Sequence, residues 1–423
     1  MIKEPKISLF DLVMCLSDAV DLVSPALVNH HKQVAYIAFS IGNELGLPLE
    51  QRNELALGGG LHDIGILSLK DRMNAMQFEH EAKTERRHEH LSYLLLKMFE
   101  PLSGAAAIVR FHHVPWDEGG GTESNGEPVP LGSHILQLAD RVAALINRQQ
   151  EILGQVEAIC WKIGQQSGKM FMPKLVDAFK SIARKEYFWF DAISLSLGSI
   201  LSNMVGTVKV ELGLDKLLSL ANMFCRVIDF RSAFTATHSS GIAASAKELA
   251  RLAGFAEREC QMMKVAGYLH DLGKLAVPLE ILEKPAKLAQ DEINIMQSHT
   301  FHTYRILESI KDFDVINAWA AYHHERLNGT GYPFHLKGDD ISLGSRIMAV
   351  ADVFTAITED RPYREGMVGN EALKILQRMA ENSALDPHIV SLLRSSFDEI
   401  NSIRTAAQAA AIEEYKQFMQ SSE

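Results

Sequence analysis

The sequence lacks the features of an exported protein. It has only four cysteines in 423 residues, and they lie far apart and form no CxxC pair. Scattered, unpaired cysteines are typical of proteins in a reducing compartment. Aspartates interrupt the first apolar stretch, and no small-residue cleavage pattern follows it, so the start does not resemble a signal peptide. We therefore expect a cytoplasmic protein.

Long apolar runs and long basic runs are also missing. The longest uncharged stretch, residues 192–208, contains polar residues and two glycines, so it falls short of the roughly 20 apolar residues of a membrane helix. Lys and Arg total 42 against 53 for Asp and Glu, which gives a formal net charge of −11. These features argue against a membrane span and against long nucleic acids as partners. A small phosphate ligand stays compatible with an acidic chain if metal ions supply positive charge.

The most informative feature present is an internal duplication. Ten of the 17 histidines, together with four aspartates, fall into pairs that lie 208 to 212 residues apart. The pairs are His30 with His238, His62 with His270, Asp63 with Asp271, His88 with His299, His112 with His323, His113 with His324, and Asp140 with Asp352. The sequence around these residues repeats as well, since LHDIGIL at 61–67 corresponds to LHDLGKL at 269–275. The sequence therefore predicts two homologous domains that share one ancestral site.

The apolar spacing is helical in both copies. Segments such as 241–253 and 291–307 place apolar residues three and four positions apart, with charge on the remaining face. No sustained alternation of apolar and polar residues indicates a sheet. We predict an all-α protein with an N-terminal domain over residues 1–185, a helical connector over 186–213 and a C-terminal domain over 214–423.

The second copy has the residue types of a metal site. A lone pair such as His270 and Asp271 is more often a hydrogen-bonded core contact than a metal site. Asp352, however, lies in the apolar run IMAVADVF, where an uncompensated carboxylate would be costly. Imidazole and carboxylate together suit a divalent transition metal. Four histidines and two aspartates suffice for two ions bridged by a carboxylate and a water, an arrangement that can hydrolyse phosphate esters.

These residues lie within motifs that resemble those of the HD domain superfamily, and within it the HD-GYP phosphodiesterases that hydrolyse cyclic di-GMP. HDLGK at 270–274 resembles the family's HDxGK motif, and HHE at 323–325 resembles its HHE motif. GYP at 331–333 matches the motif that names the group, and RPYR at 361–364 resembles its closing basic motif. The resemblance spans about residues 220–397 and implies two tandem HD-type helical domains, the first of them degenerate.

The resemblance also implies a binuclear metal site, with iron or manganese as the expected metal. The implied ligands are His238, His270, Asp271, His299, His323, His324 and Asp352. Asp271 is the expected catalytic bridge between two ions that would polarise a phosphate oxygen and activate a water. Some family members bind a third ion through a glutamate four residues before the first of these histidines. Phe234 stands at that position here, so two ions are expected.

The same resemblance implies a set of substrate-binding residues. Lys274 would place its ammonium on the scissile phosphate, and we expect it to be catalytic. Gly331 permits close backbone approach, and Tyr332 could contact the ligand. Arg361 and Arg364 would hold a phosphate or a guanine edge with their forked donors. For each residue, an ordinary loop or surface role is the alternative that the sequence leaves open.

The first copy keeps the residue types of the metal site but loses the substrate motifs. Its matched residues, which predict a second metal site, are His30, His62, Asp63, His88, His112, His113 and Asp140. Ile66 stands where the second copy has Lys274, and residues 114–128 contain no GYP. Residues 146–148 do not begin an RPYR motif. We interpret this domain as regulatory; histidines retained as core contacts are the alternative.

We therefore predict a hydrolase that cleaves a cyclic dinucleotide in bacterial signalling. The chain is expected to convert cyclic di-GMP to linear pGpG and, in a further step, to GMP. Cyclic GMP-AMP is the alternative substrate, because the residues that contact the purines cannot be identified from sequence. A non-catalytic cyclic-dinucleotide receptor or scaffold is the alternative of another class, and the GYP loop disfavours a hydrolase of guanosine polyphosphates. The sequence leaves open whether the chain forms a homodimer.

Overall fold

The computed structural model describes residues 7–22, 28–66, 86–205, 211–230, 237–360 and 365–420, and the structural statements below concern these residues. The described residues are mostly helical, with only four two-residue strands, which confirms the predicted all-α class. The helices predicted over 241–253 and 291–307 extend over His238–Leu252 and Gln290–Glu308. Among the described helices, none combines the length and apolar character that a membrane span requires.

The chain divides into two compact units. Among the described residues, 8–205 form the first unit, and residue 7 together with 211–420 forms the second. The predicted connector includes two helices, Glu186–Ala192 and Leu197–Met204, that belong to the first unit.

The described part of the first unit contains ten helices. They are α1 Leu9–Asp21, α2 His30–Glu44, α3 Leu49–Leu61, α4 Arg86–Lys97, α5 Ser103–Val109, α6 Leu131–Leu145, α7 Val156–Gln165, α8 Pro173–Ala183, α9 Glu186–Ala192 and α10 Leu197–Met204. Short 3-10 turns occur at Glu100–Leu102, Asp117–Thr122 and Leu153–Gln155. The strands Glu123–Ser124 and Glu127–Pro128 pair as an antiparallel hairpin.

The described part of the second unit also contains ten helices. They are α11 Leu214–Asp229, α12 His238–Leu252, α13 Glu257–Leu269, α14 Leu279–Leu282, α15 Gln290–Glu308, α16 Asp314–Ala321, α17 Leu343–Thr358, α18 Gly369–Glu381, α19 Pro387–Ser395 and α20 Phe397–Gln420. The remaining elements are 3-10 turns at Leu272–Ala276 and Gly338–Asp340 and the strand Glu211–Leu212. A further strand, Ile7–Ser8, contains one residue of each unit.

One helix pair positions the site in each unit, and a glycine brings its two backbones together. A Cβ atom on Gly59 of α3 would lie 2.6 Å from Ala35 Cα of α2, and one on Gly267 of α13 would lie 2.5 Å from Ala243 Cα of α12. Such distances leave no room for a side chain, so only glycine allows the approach. In each unit, a histidine that begins one helix therefore lies near the His-Asp motif that follows its partner.

Candidate metal centre

Three histidines of the second unit point Nδ1 at the backbone carbonyl three residues earlier. The N–O distances are 2.8 Å from His270 to Gly267, 2.6 Å from His299 to Met296 and 2.6 Å from His323 to Ala320. A carbonyl only accepts, so each Nδ1 carries a proton and each Nε2 is left to face the site. The buried His270 Nε2 finds no hydrogen-bond partner among the described residues. This is the tautomer and orientation that a metal ligand requires.

Asp271 lies between these imidazoles. Its Oδ2 is 3.1 Å from His270 Nε2, and its Oδ1 is 3.3 Å from His299 Nε2. The Lys274 ammonium forms an ion pair with Oδ2 at 2.5 Å. Because each carboxylate oxygen faces a different histidine, Asp271 has the geometry of a bridge between two groups of donors.

Asp352 connects the remaining two histidines. Its Oδ1 lies 3.7 Å from His238 Nε2, and its Oδ2 lies 3.6 Å from His324 Nδ1. On its other side, His238 Nδ1 lies 2.9 Å from Glu359 Oε1. Burial alone would lower the pKa of His238, but Glu359 and Asp352 outweigh it and raise the pKa to about 10. A cation bound at Nε2 would take the place of that proton.

The structure thus brings all seven predicted ligands of the second unit into one site. The donor atoms of His238, His270 and Asp352 lie within 4.8 Å of one another, as do those of the trio His299, His323 and His324. The seventh residue, Asp271, lies between the two groups. The orphaned His270 Nε2 and this mixed imidazole and carboxylate set fit a divalent metal.

Burial and neighbouring charges hold three of these groups, His299, His324 and Asp271, in the protonation states that bind cations. Burial is the largest cause that lowers the pKa of His299 to about 3 and that of His324 to about 4. For Asp271, burial alone would raise the pKa, but His270 and Lys274 outweigh it and hold the pKa well below its ordinary value. Neutral imidazoles at His299 and His324 and an ionised carboxylate at Asp271 are therefore available at neutral pH. His238, in contrast, carries a proton that a cation would displace.

The loop at 331–333 covers one side of this site. A Cβ atom on Gly331 would lie 2.5 Å from Glu325 Cα and 2.4 Å from Arg326 N, so the loop packs backbone against backbone. The Tyr332 ring lies over His324, with 4.9 Å between ring centroids. The side chains of His324 and Lys274 are 23% and 19% exposed, against 4% for Asp271. His324 and Lys274 are therefore more accessible to a ligand than Asp271 is.

The other predicted substrate residues cannot be placed, because Arg361 and Arg364 lie outside the described residues. Two supporting residues were not predicted from the sequence. Glu359 is hydrogen-bonded to His238, and it is not one of the residues that repeat between the two copies. Thr303 could have been predicted, because it lies 211 residues after Ser92, and the two histidine doublets are also 211 residues apart.

Gly273 brings the segment after His270 against α15. The Thr303 hydroxyl donates to His270 O at 3.0 Å and accepts from Gly273 N at 2.9 Å. A Cβ atom at 273 would lie 1.9 Å from His299 O and 2.7 Å from Thr303 N, both of them backbone atoms. The position of His299 therefore depends on a residue without a side chain at 273.

The substitution Gly273→Ala is expected to lower the free energy of unfolding by about 3 kcal/mol or more, because backbone must move to admit the methyl group. Denaturant unfolding of the full chain measures this change. Gly58→Ala is the control, since it lies within α3 and the nearest neighbouring atoms to its Cβ, among the described residues, would lie 3.7 Å away, an ordinary van der Waals distance. We expect that control to be neutral or stabilising by up to about 1 kcal/mol. Equal stability of both variants would contradict the close approach at 273.

The first unit repeats the arrangement with its own seven predicted residues. His62 Nδ1 and His112 Nδ1 lie 2.9 Å and 2.7 Å from the carbonyl oxygens of Gly59 and Val109. The donor atoms form two groups, each within 4.8 Å: His30, His62 and Asp140, and Asp63, His88, His112 and His113. This set also has the composition of a metal site.

The two sites differ in the charges around them. In the first unit, Arg141 Nη2 lies 2.9 Å from Asp140 Oδ2, whereas the second unit has Val353 after its matching aspartate. His113 Nε2 lies 3.0 Å from His88 Nε2. The buried Ile66 takes the sequence position that corresponds to Lys274. The first unit therefore has no ammonium at the position of Ile66, and the guanidinium of Arg141 contacts Asp140.

Comparison with known proteins covers both units. Two family models described as HD domain match residues 27–145 and 222–389. The chain is 32% identical over 401 residues to the 3'3'-cGAMP-specific phosphodiesterase 1 of Vibrio cholerae, covering 92% of each chain. It is 38% identical over 170 residues to the cyclic di-GMP phosphodiesterase response regulator RpfG of Xanthomonas campestris, covering 40% of this chain and 45% of that protein. A solved structure of a cyclic GMP-AMP specific phosphodiesterase from V. cholerae shares the fold, with a TM-score of 0.66 and 22% identity over 93% of this chain and 98% of that one.

Proposed function

The chain belongs to the HD-GYP-type family of cyclic-dinucleotide phosphodiesterases, and from this premise we propose that its second unit hydrolyses a 3′,5′ phosphodiester bond of a cyclic dinucleotide. The observation that carries the proposal is the cluster of seven predicted metal-ligand side chains, with the Lys274 ammonium paired to Asp271. The first unit, predicted over residues 1–185, is proposed to be regulatory, because it lacks a counterpart of Lys274 and of the GYP loop.

The proposed site holds two divalent ions, iron or manganese. His238, His270 and Asp352 would hold one, and His299, His323 and His324 the other, with Asp271 shared between them. When bound, such ions supply Lewis acidity and a nucleophilic water at neutral pH.

The chain's own residues bind and orient the substrate. The Lys274 ammonium, which neutralises Asp271 in the structure, is positioned to meet the charge that develops on the phosphate. Tyr332 covers His324 and limits the entry of water on that side. No side-chain nucleophile is required.

The preferred substrate is proposed to be 3′,3′-cyclic GMP-AMP. The sequence motifs alone favoured cyclic di-GMP as the substrate. That dinucleotide is now the second candidate. The relative that matches both units of this chain is named for cyclic GMP-AMP, whereas RpfG, which is named for cyclic di-GMP, matches 40% of the chain. On this observation we place cyclic GMP-AMP ahead.

Product analysis tests the proposal. The full chain is purified anaerobically, loaded with iron or manganese, and incubated separately with 3′,3′-cyclic GMP-AMP, cyclic di-GMP and a guanosine polyphosphate. We expect kcat/KM for cyclic GMP-AMP to exceed that for cyclic di-GMP by about tenfold or more, equivalent to about 1.4 kcal/mol of transition-state binding. The guanosine polyphosphate should stay intact.

Chromatography of the products separates the alternatives. A linear dinucleotide that appears first, with mononucleotides only later, supports a two-step hydrolysis. A faster reaction with cyclic di-GMP would reverse the order of the two substrates. Binding of both dinucleotides without any cleavage by the metal-loaded chain would show a receptor rather than an enzyme.

A further inference from the structure

His31 is a buried histidine beside the first unit's candidate metal site, and it is not one of the repeated residues. His31 is 2% exposed and follows His30 at the start of α2. Its Nδ1 is hydrogen-bonded to the carboxylate of Asp21, which fixes the ring. Its Nε2 is buried and meets no hydrogen-bond partner in the part of the chain that the structure describes. A buried ring nitrogen left in this way requires an explanation.

His31 lies within reach of the candidate metal site. The ligand atoms of His31, His62 and Asp63 lie within 4.8 Å of one another. The rings of His31 and His62 are 4.9 Å apart between centroids. An imidazole whose Nδ1 is held by a carboxylate has the arrangement of a metal-bound histidine, because the carboxylate fixes both tautomer and direction.

The second unit fills the corresponding space differently. Asp229 and Ser239 occupy the positions that match Asp21 and His31, and the Ser239 hydroxyl donates to Asp229 Oδ1 at 2.8 Å. Lys274 pairs with Asp271 at 2.5 Å. A serine and a lysine in the second unit therefore stand where the first unit has a histidine and an isoleucine.

We propose that His31 is an additional metal ligand, so that the first unit binds a divalent transition metal through a site closed by protein nitrogen. The second unit has the Lys274 ammonium, a cation that suits a phosphate. The first unit has Ile66 in its place and also has His31, a neutral donor that suits a metal. Structural metal sites fill their coordination positions with protein ligands, whereas catalytic sites keep one position open. The first unit would therefore retain its metal without hydrolysing a phosphodiester. The proposal concerns the first unit alone and holds whatever the second unit hydrolyses.

Cobalt titration of the full chain tests this proposal. The starting protein carries His270→Ala and Asp271→Ala, which weaken the second site, and is stripped of metal before titration with Co²⁺. The visible absorption of bound Co²⁺ reports its ligands, and the titration gives the stoichiometry and the Kd. Adding His31→Ser is expected to raise the Kd of the first-unit site by about tenfold or more and to change the spectrum.

The serine variant is chosen to keep the fold. Like Ser239 beside Asp229, a serine at 31 can still donate to Asp21, and thermal unfolding checks that the variant is folded. If it is not folded, the double variant His31→Ser with Ile66→Lys, which reproduces the second unit, is measured with the same expectation. The matched control is His134→Ala, since His134 is also buried but its Nε2 lies 3.1 Å from Gly121 O, outside the cluster.

Two outcomes would overturn the proposal. One is a folded His31→Ser chain, or its double variant, whose Kd and spectrum equal those of the starting protein and of His134→Ala. The other is a starting protein in which Asp63→Ala removes no bound Co²⁺, because the first unit would then hold no metal. A loss of Co²⁺ affinity on both His31→Ser and Asp63→Ala, with His134→Ala unchanged, supports His31 as a ligand.

Discussion

Replacing Asp271 by alanine is expected to lower kcat for cyclic-dinucleotide hydrolysis by at least about a thousandfold, equivalent to about 4 kcal/mol of transition-state stabilisation. The reason lies in its two oxygens, which face His270 on one side and His299 on the other. Without the carboxylate, the two groups of donors share no bridging ligand. The Lys274 ammonium also loses the partner that neutralises it.

The duplication provides a matched control for this experiment. Asp63→Ala removes the corresponding aspartate of the first unit, which is buried among histidines in the same way. We expect it to leave hydrolysis within about a factor of two of wild type, because a change of that size is below about 0.5 kcal/mol. Metal content and kcat are measured for both variants. Hydrolysis that survives Asp271→Ala, or that is lost equally in a folded Asp63→Ala chain, would contradict catalysis by the second unit.

Spacing within the sequence was sufficient to predict which residues lie together. The pairs repeat at 208 to 212 residues, and the structure brings both sets of seven side chains into compact clusters. The all-α class followed from helical periodicity and is confirmed. The metal-binding roles of the clustered residues stay predictions, since proximity of donor atoms fits an ion without identifying one.

Residues that differ between the copies could not be found by the same comparison. His31 corresponds to a serine, so a search for shared residues passes over it. Glu359 contacts His238 from 121 positions away, and only the packing of α17 beside α12 brings them together. The backbone approach at Gly273 likewise depends on where α15 lies. Such tertiary contacts carry no periodic signal in the sequence.

Lys274→Met is expected to lower kcat by about a hundredfold to a thousandfold while leaving metal content unchanged, because a preorganised donor to a developing phosphate charge contributes about 3 to 4 kcal/mol. The lysine lies beside Asp271 but is not among the seven clustered donors. Methionine keeps most of the apolar stem, so packing is disturbed little. Lys274→Arg, which keeps the charge, should restore part of the rate.

The ratio of the two kinetic constants distinguishes a catalytic lysine from a binding one. If Lys274 acts mainly in the transition state, kcat and kcat/KM fall together in Lys274→Met; if it holds the ground-state substrate equally well, KM rises and kcat is kept. Lys284→Met is the control, since Lys284 pairs with Glu292 outside the metal cluster and should leave both constants unchanged. A full rate in Lys274→Met would remove the main difference in chemistry between the two units, because Ile66 could then serve as well as Lys274. The inactivity proposed for the first unit would in that case have to arise from Arg141 on Asp140, or from the absent GYP loop.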